Sequence, residues 1–174
     1  FEADCLRVNP MMGPDTLESF LDCVDRYGKG LLVLCRTSNP GAGWLQDRMT
    51  GNRLISERLA ELISAVGRGQ SANAGLSPVG AVIGATVASE GRRLRHLLPN
   101  TAILAPGIGP QGGDPGALDA LRGGRPGDLL VPVSRGLLRV EDRGIALDDY
   151  RGLIIGRLEH LQATIARPPL DAAG

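Results

Sequence analysis

Lysine is almost absent from this sequence: the 174-residue chain contains Lys29 and otherwise uses arginine as its basic residue. Aromatic residues are also scarce, at 3%, and no apolar run approaches the roughly 18 residues that a membrane span requires. The formal net charge is zero, with 19 basic and 19 acidic residues, which argues against the basic stripe of a nucleic-acid-binding protein. We therefore expect a cytoplasmic protein with neither a nucleic-acid partner nor a membrane partner.

Cysteine is the next scarce residue, and its placement bears on cofactors. Cys5, Cys23 and Cys35 are odd in number and lack the close pairs of a zinc or redox motif. Cys5 and Cys35 lie in or beside apolar runs, where a free thiol behaves as a small hydrophobic group. The cysteine pattern thus predicts neither a zinc nor a redox site, and it indicates a reducing compartment.

Short apolar runs alternate with amphipathic helices along the chain. The runs are continuous stretches of Val, Ile and Leu, which is typical of parallel strands buried on both faces. We expect an α/β fold with one domain over residues 1–166 and a loose tail over 167–174. The strands are predicted at residues 3–8, 31–34, 79–83, 102–104 and 129–133, and the helices near 15–27, 55–66, 94–98, 117–121 and 148–166.

Two loops carry most of the functional information. Ala105-Pro-Gly-Ile-Gly-Pro-Gln-Gly-Gly113 follows the fourth run, and Val133-Ser-Arg-Gly136 follows the fifth. Glycines let backbone N–H groups approach an anion, and an arginine fork matches phosphate oxygens. The pair is typical of the loops after the last two strands of a (β/α)8 barrel, which hold a substrate phosphate. A surface role for Arg135 is the plainer alternative.

The first of these loops also fits the G-x-G-x-x-G pattern of a dinucleotide site. Its context argues against that interpretation, because Pro110 and Pro115 prevent a long helix from opening at the third glycine. The acidic residue at about the right distance, Asp128, precedes the next strand instead of ending it.

Five strand-end segments, taken in order, resemble orotidine 5′-phosphate decarboxylase. They are Ala3-Asp-Cys-Leu-Arg-Val-Asn-Pro10 with Gly13-Pro-Asp15, Arg36-Thr-Ser-Asn-Pro-Gly-Ala42, Val82-Ile-Gly-Ala-Thr86, and the two loops above. The resemblance is to the bacterial subgroup whose fifth strand ends in Thr-Ser-Asn-Pro. It implies the last five units of a (β/α)8 TIM barrel of the ribulose-phosphate-binding type. It also implies a homodimer that converts orotidine 5′-monophosphate to UMP and CO2 without metal or organic cofactor.

The resemblance also implies roles for particular residues. Ser38 would contact the pyrimidine ring, and Gln111 would lie between the base and the phosphate. Asn9 and Thr86 end strands at the same edge and either line the site or only cap the backbone. The phosphate would be held by the Arg135 side chain and by the backbone at Pro106, Gly107, Gly109 and Gly136.

The family's catalytic array is not found in this sequence. In the family, a lysine in an Asp-x-Lys-x-x-Asp motif at the third strand stabilises the carbanion, whereas Lys29 lies in a glycine turn before a strand. The catalytic Lys and Asp residues are therefore expected upstream of Phe1, and we expect this fragment alone to be inactive. Two alternatives stay open: another phosphate-binding barrel, such as a sugar-phosphate aldolase or isomerase, and a non-catalytic nucleotide-binding remnant.

Overall fold

The computed structural model describes residues 2–70, 75–86, 88–109, 113, 115–142 and 144–165. Within these residues, five parallel strands form one sheet in the order β1-β2-β5-β6-β7, and β3 and β4 form a separate antiparallel hairpin. The strands are β1 (Cys5–Val8), β2 (Gly30–Arg36), β3 (Met49–Thr50), β4 (Arg53–Leu54), β5 (Ser77–Ile83), β6 (Thr101–Leu104) and β7 (Leu129–Leu130).

Helices connect the strands of the parallel sheet, so the chain repeats a strand-then-helix unit. The α-helices are α1 (Glu18–Tyr27), α2 (Ile55–Arg68), α3 (Ala88–Leu97), α4 (Arg135–Leu138) and α5 (Leu147–Ile165). Short 3-10 helices span Pro10–Met12, Pro14–Leu17, Pro40–Trp44 and Pro115–Leu121. The predicted α/β class is confirmed, and so are the five units of a (β/α)8 barrel.

The hydrophobic core lies between the sheet and the helices that cover one of its faces. Leu31, Val33 and Cys35 alternate along β2 and are almost completely buried, and Ile63 of α2 is buried in the same cluster. Since successive side chains of a strand point to opposite faces, the residues between them face the other side of the sheet. That second face, which carries Leu32 and Leu34, is only half-buried in this chain.

The last strand of the sheet is shorter than predicted. Leu129 and Leu130 pair with β6, but the residues after them do not. Pro132 explains the early end, because proline has no N–H to donate to a sheet. The chain therefore leaves the sheet three residues before the predicted arginine loop begins at Val133.

Two local predictions were wrong. The Pro14-Asp15-Thr-Leu-Glu18 segment predicts that Asp15 caps the first helix, but Asp15 lies inside the 3-10 turn Pro14–Leu17, which precedes α1. Helical spacing predicts that Leu153, Ile154, Leu158, Leu161 and Ile165 point inward from α5. Leu161 and Ile165 do pack against the core, whereas Leu153 and Leu158 are 37% and 42% exposed, because little of the described chain packs against that helix. The predicted tail, residues 167–174, lies outside the described residues. None of the described helices is long and apolar enough to cross a membrane.

Candidate functional site

The parallel strands bring several loops to one edge of the sheet. The carboxyl ends of β2, β5, β6 and β7 are adjacent because these strands are neighbours with a common direction. Backbone hydrogen bonds connect the segments that follow them: Gly84 N donates to Arg36 O at 2.8 Å, and Ala85 N donates to Pro106 O at 2.8 Å. This carboxyl edge is where α/β proteins place their ligand sites.

The loop after β2 is held by a partly buried ion pair. Arg36 Nε donates to Asp47 Oδ1 at 2.7 Å, and Nη2 donates to Oδ2 at 2.9 Å. The third guanidinium nitrogen of Arg36, Nη1, donates to the carbonyl oxygen of Thr37 at 2.6 Å. Glu90 of α3 places a buried carboxylate oxygen 3.5 Å from Arg36 Nε. The guanidinium therefore ties both ends of the 37–47 loop to the end of the strand.

A second set of contacts fixes Ser38. Gln46 Oε1 accepts the Thr37 N–H at 2.8 Å, so the loop is closed just before the serine. On the other side lies Gly84, where an added Cβ would stand 2.6 Å from Ser38 Cβ and 2.8 Å from Ser38 N. Only glycine permits that approach, and Ser38 consequently sits half-buried against the end of β5.

The loop after β6 contains glycines in conformations that other residues rarely adopt. Gly107 and Gly109 have φ angles of +115° and +96°. The Gly113 N–H donates to Gly107 O at 3.0 Å and so closes the loop on itself. A Cβ on Gly109 would lie 3.7 Å from the Cα of Gly136, which brings this loop against the one that follows β7.

These two loops enclose a cavity of about 350 Å³. Arg7 and Arg135 are the charged residues of its lining, and no carboxylate belongs to the lining. Arg7 lies on the edge strand β1, and Arg135 follows the other edge strand, β7. Since both residues line one cavity, the sheet must curve enough to bring its two edge strands towards each other. Its lining residues are Arg7, Pro106, Gly107, Ile108, Pro132, Val133, Ser134 and Arg135.

A larger cavity of about 550 Å³ adjoins the first and shares Ile108 and Val133 with it. Its remaining lining comes largely from α5 and is mainly apolar. Gly109 and Gly136, both predicted phosphate contacts, line this larger cavity instead of the smaller one. An apolar lining does not suit a phosphate group, so we call the smaller space the anion cavity and treat it as the candidate site.

The structure brings together part of the predicted set of site residues. Arg135, Pro106 and Gly107 share the anion cavity, whereas Ser38 lies outside its lining and is positioned by the neighbouring strand ends. Gln111 lies outside the described residues. Asn9 caps the backbone, since its Oδ1 accepts the Met11 N–H at 3.0 Å. Thr86 is exposed at the end of β5.

Two residues of the site were not predicted from the sequence. Arg36 was assigned to a motif, but its ion pair with Asp47 depends on the path of the intervening loop. Arg7 had a visible signal, which is a charged residue inside an otherwise apolar strand. The alternation of that strand places Arg7 on the face opposite Val8, which packs against the core.

The described residues offer no cluster of three or more His, Cys, Asp or Glu side chains that would hold a metal ion. Lys29 lies at the amino ends of the strands, opposite the candidate site, just before β2, and its Nζ donates to Asp4 Oδ1 at 2.9 Å. The charge at the candidate site is thus supplied by arginine.

A curved parallel sheet with a cationic, glycine-lined cavity at its carboxyl edge is typical of α/β proteins of the barrel class, which place their ligand sites at that edge. Comparison with known proteins places the chain more narrowly. Residues 1–150 match the model of the orotidine 5′-phosphate decarboxylase / HUMPS family. The chain belongs to this family.

Individual relatives agree with this assignment. The chain is 35% identical to an orotidine 5′-phosphate decarboxylase of Rhodopirellula baltica over 150 residues, which cover 84% of the chain and 50% of the relative. It is 43% identical to that of Aromatoleum aromaticum over 143 residues, covering 79% and 48%. The solved OMP decarboxylase of Leishmania donovani superposes with a TM-score of 0.70 at 31% identity, covering 95% and 58%. The chain thus spans about half the length of the curated relatives it matches.

Proposed function

We propose that this chain forms the phosphate- and base-binding part of an orotidine 5′-phosphate decarboxylase, a carboxy-lyase that converts orotidine 5′-monophosphate to UMP and CO2. The observation that carries the proposal is the anion cavity, with Arg135 and the Pro106–Gly107 backbone on its walls, in a chain of this family. Residues 1–166 would belong to one domain, acting in the cytoplasm as part of a homodimer and without metal or organic cofactor.

Phosphate binding is assigned to the anion cavity. A guanidinium can donate two parallel hydrogen bonds to phosphate oxygens, and the positive φ of Gly107 exposes backbone that an anion can approach. The backbone at Gly109 and Gly136 would complete the phosphate site, since the two loops meet at these residues. In such an enzyme the remote phosphate contributes binding energy that orients the reacting carbon.

Base binding is assigned to Ser38, with Gln111 reaching between the base and the phosphate. Ser38 is held at the carboxyl edge of the sheet by the contact with Gly84 and by the Arg36 ion pair, so its backbone and Cβ have a defined position. A hydroxyl in a fixed position can donate to a pyrimidine carbonyl at a smaller entropic cost than one on a free loop.

The decarboxylation step itself requires a group that this chain does not place at the site. Loss of CO2 leaves a carbanion at C6 of the pyrimidine, which a fixed ammonium stabilises. Lys29 cannot serve, because it is paired with Asp4 at the opposite edge of the sheet. The same position excludes Lys29 as the Schiff-base residue of a sugar-phosphate aldolase at this cavity.

The first test is spectrophotometric turnover of orotidine 5′-monophosphate by the purified 174-residue chain, together with its melting temperature with and without UMP. We expect no turnover and a higher melting temperature in UMP. Turnover would contradict our claim that the catalytic ammonium is absent from this chain. No effect of UMP on melting would contradict the assigned binding role.

A second test uses the longer protein of which this sequence would form part. Arg135→Ala should lower kcat/KM for orotidine 5′-monophosphate by about tenfold or more, because one charge-assisted contact to the phosphate is lost. Arg92→Ala on the exposed side of α3 is the matched control. An unchanged kcat/KM in the Arg135 variant would contradict the phosphate assignment.

A further inference from the structure

Arg7 occupies a position that the proposed function does not explain. It lies in β1, in register with Leu32 of β2, and its neighbour Val8 packs against the core on the other face of the sheet. The Arg7 side chain therefore projects from the curved inner face of the sheet, where it lines the anion cavity. Its guanidinium is exposed and so stays accessible to a ligand that enters the cavity.

No such anion is provided by the described part of the chain. Within it, the side chains of Arg7 and Arg135 make no hydrogen bond or ion pair. Some other arginines of the described chain are paired with carboxylates, namely Arg36 with Asp47, Arg93 with Glu57, and Arg122 with Asp119, whereas the exposed Arg92 is not.

The two cavity arginines thus form an uncompensated positive pair. Like charges in one cavity repel each other, and the protein gains nothing from that repulsion in the absence of a ligand. A ligand with two or more negative charges removes the repulsion and can accept hydrogen bonds from both guanidinium groups. The cavity, at about 350 Å³, has room for such a group.

We propose that Arg7 is a second cationic ligand of the substrate, which binds an anionic oxygen group of the nucleotide from the β1 side while Arg135 binds from the β7 side. This inference rests on the proposed function. Orotidine 5′-monophosphate offers two such groups, the 5′-phosphate and the 6-carboxylate, and both present oxygens to an arginine fork in the same way. UMP and inorganic phosphate lack the carboxylate, so comparison with them shows whether Arg7 binds the 5′-phosphate or the 6-carboxylate.

The experiment measures dissociation constants by calorimetry for inorganic phosphate, UMP and orotidine 5′-monophosphate with the unsubstituted chain and with Arg7→Gln, Arg7→Lys and Arg135→Gln. Arg92→Gln removes one exposed positive charge away from the cavity and serves as the control for net charge. Since Arg7 is exposed, its substitution should leave the melting temperature of the ligand-free chain unchanged. That melting temperature is measured for each variant as a control for folding.

We expect Arg7→Gln to weaken nucleotide binding about tenfold, Arg7→Lys to recover part of the loss, and Arg92→Gln to have no effect. Weaker binding of inorganic phosphate, UMP and orotidine 5′-monophosphate alike supports the proposal and assigns Arg7 to the phosphate. Weaker binding of orotidine 5′-monophosphate alone also supports it and assigns Arg7 to the carboxylate.

Other outcomes separate this inference from the proposed function. If Arg135→Gln weakens UMP binding and Arg7→Gln changes none of the three constants, the inference is wrong and the phosphate site stands. If neither substitution changes any of the dissociation constants, both the Arg7 inference and the proposed function are wrong. The same conclusion follows if the unsubstituted chain binds none of the three ligands.

Discussion

Gly84 and Ser38 lie so close that a Cβ on Gly84 would stand 2.6 Å from the Cβ of Ser38 and 2.8 Å from its Cα and N. Two of these three atoms belong to the backbone, so a rotamer change of Ser38 cannot relieve the clash. The segments after β2 and β5 can therefore approach this closely only because residue 84 is glycine. The close approach sets the position of Ser38 at the carboxyl edge of the sheet.

Gly84→Ala should displace the loop that carries Ser38. We expect a loss of about 1–3 kcal/mol in the free energy of unfolding, as for other overpacked positions, together with weaker UMP binding. Urea unfolding and calorimetry provide the two readouts. Gly152→Ala is the matched control, because nothing lies within 4 Å of its added methyl group in α5. An unfolding free energy that is unchanged in Gly84→Ala would contradict the described contact.

The Arg36–Asp47 ion pair should stabilise the same loop. Arg36→Met leaves the carboxylate of Asp47 without its bidentate partner, and we expect a loss of about 2–3 kcal/mol in the free energy of unfolding. A double-mutant cycle with Asp47→Asn should give a coupling energy of at least about 0.5 kcal/mol. Additive effects of the two substitutions would show that the pair contributes nothing beyond its separate residues.

The sequence predicts the strands of the parallel sheet well where a continuous apolar run sets them. Val79 to Ile83 and Ala102 to Leu104 lie within observed strands, because a strand buried on both faces needs apolar residues throughout. The same reasoning places Arg135 and Pro106 at one edge of the sheet, where they share a cavity. That prediction needs only the parallel arrangement of the strands, because parallel strands all end at the same edge of the sheet.

The remaining features depend on contacts between distant segments. The hairpin of β3 and β4 has two residues in each strand, too few to show any periodicity. Arg7 reaches the anion cavity only because the sheet curves, and curvature is not encoded in the pattern of a single strand. The exposure of Leu153 follows from what packs against α5, and the helical pattern alone does not report it.

Glu57 should make stability depend on pH. Burial by itself raises the pKa of this carboxyl, but the Leu54 N–H and the Arg93 guanidinium that bind it outweigh burial, so the net shift is downward. A lowered pKa in the folded state contributes stability above the unfolded-state pKa and loses it as pH falls through the folded-state value.

Glu57→Gln should therefore reduce the free energy of unfolding by about 1–2 kcal/mol at pH 7, and the difference from the unsubstituted chain should shrink as pH falls below about 4. Urea unfolding at several pH values measures both quantities. Glu159→Gln, at an exposed position in α5, is the control. A difference that grows on acidification would contradict the stated sign.

The three cysteines should differ in reactivity. Cys35 is buried in the core, where its Sγ donates to Ser56 O at 3.3 Å and burial raises the pKa of the thiol to about 12. Cys5 and Cys23 are exposed. Since the thiolate is the reactive form, a disulfide-exchange reagent at pH 8 should label Cys5 and Cys23 in the folded chain and Cys35 only after denaturation. Labelling of Cys35 under native conditions would contradict its buried position.

We expect the anion cavity beside Arg135 to hold the phosphate of a uridine nucleotide. This expectation is tested most directly by calorimetric titration of the 174-residue chain with UMP and with uridine, which differ only in the phosphate. We predict that UMP binds at least about tenfold more tightly than uridine, and that Arg135→Gln removes most of this difference. Equal affinities for UMP and uridine, or a difference that survives in Arg135→Gln, would contradict it.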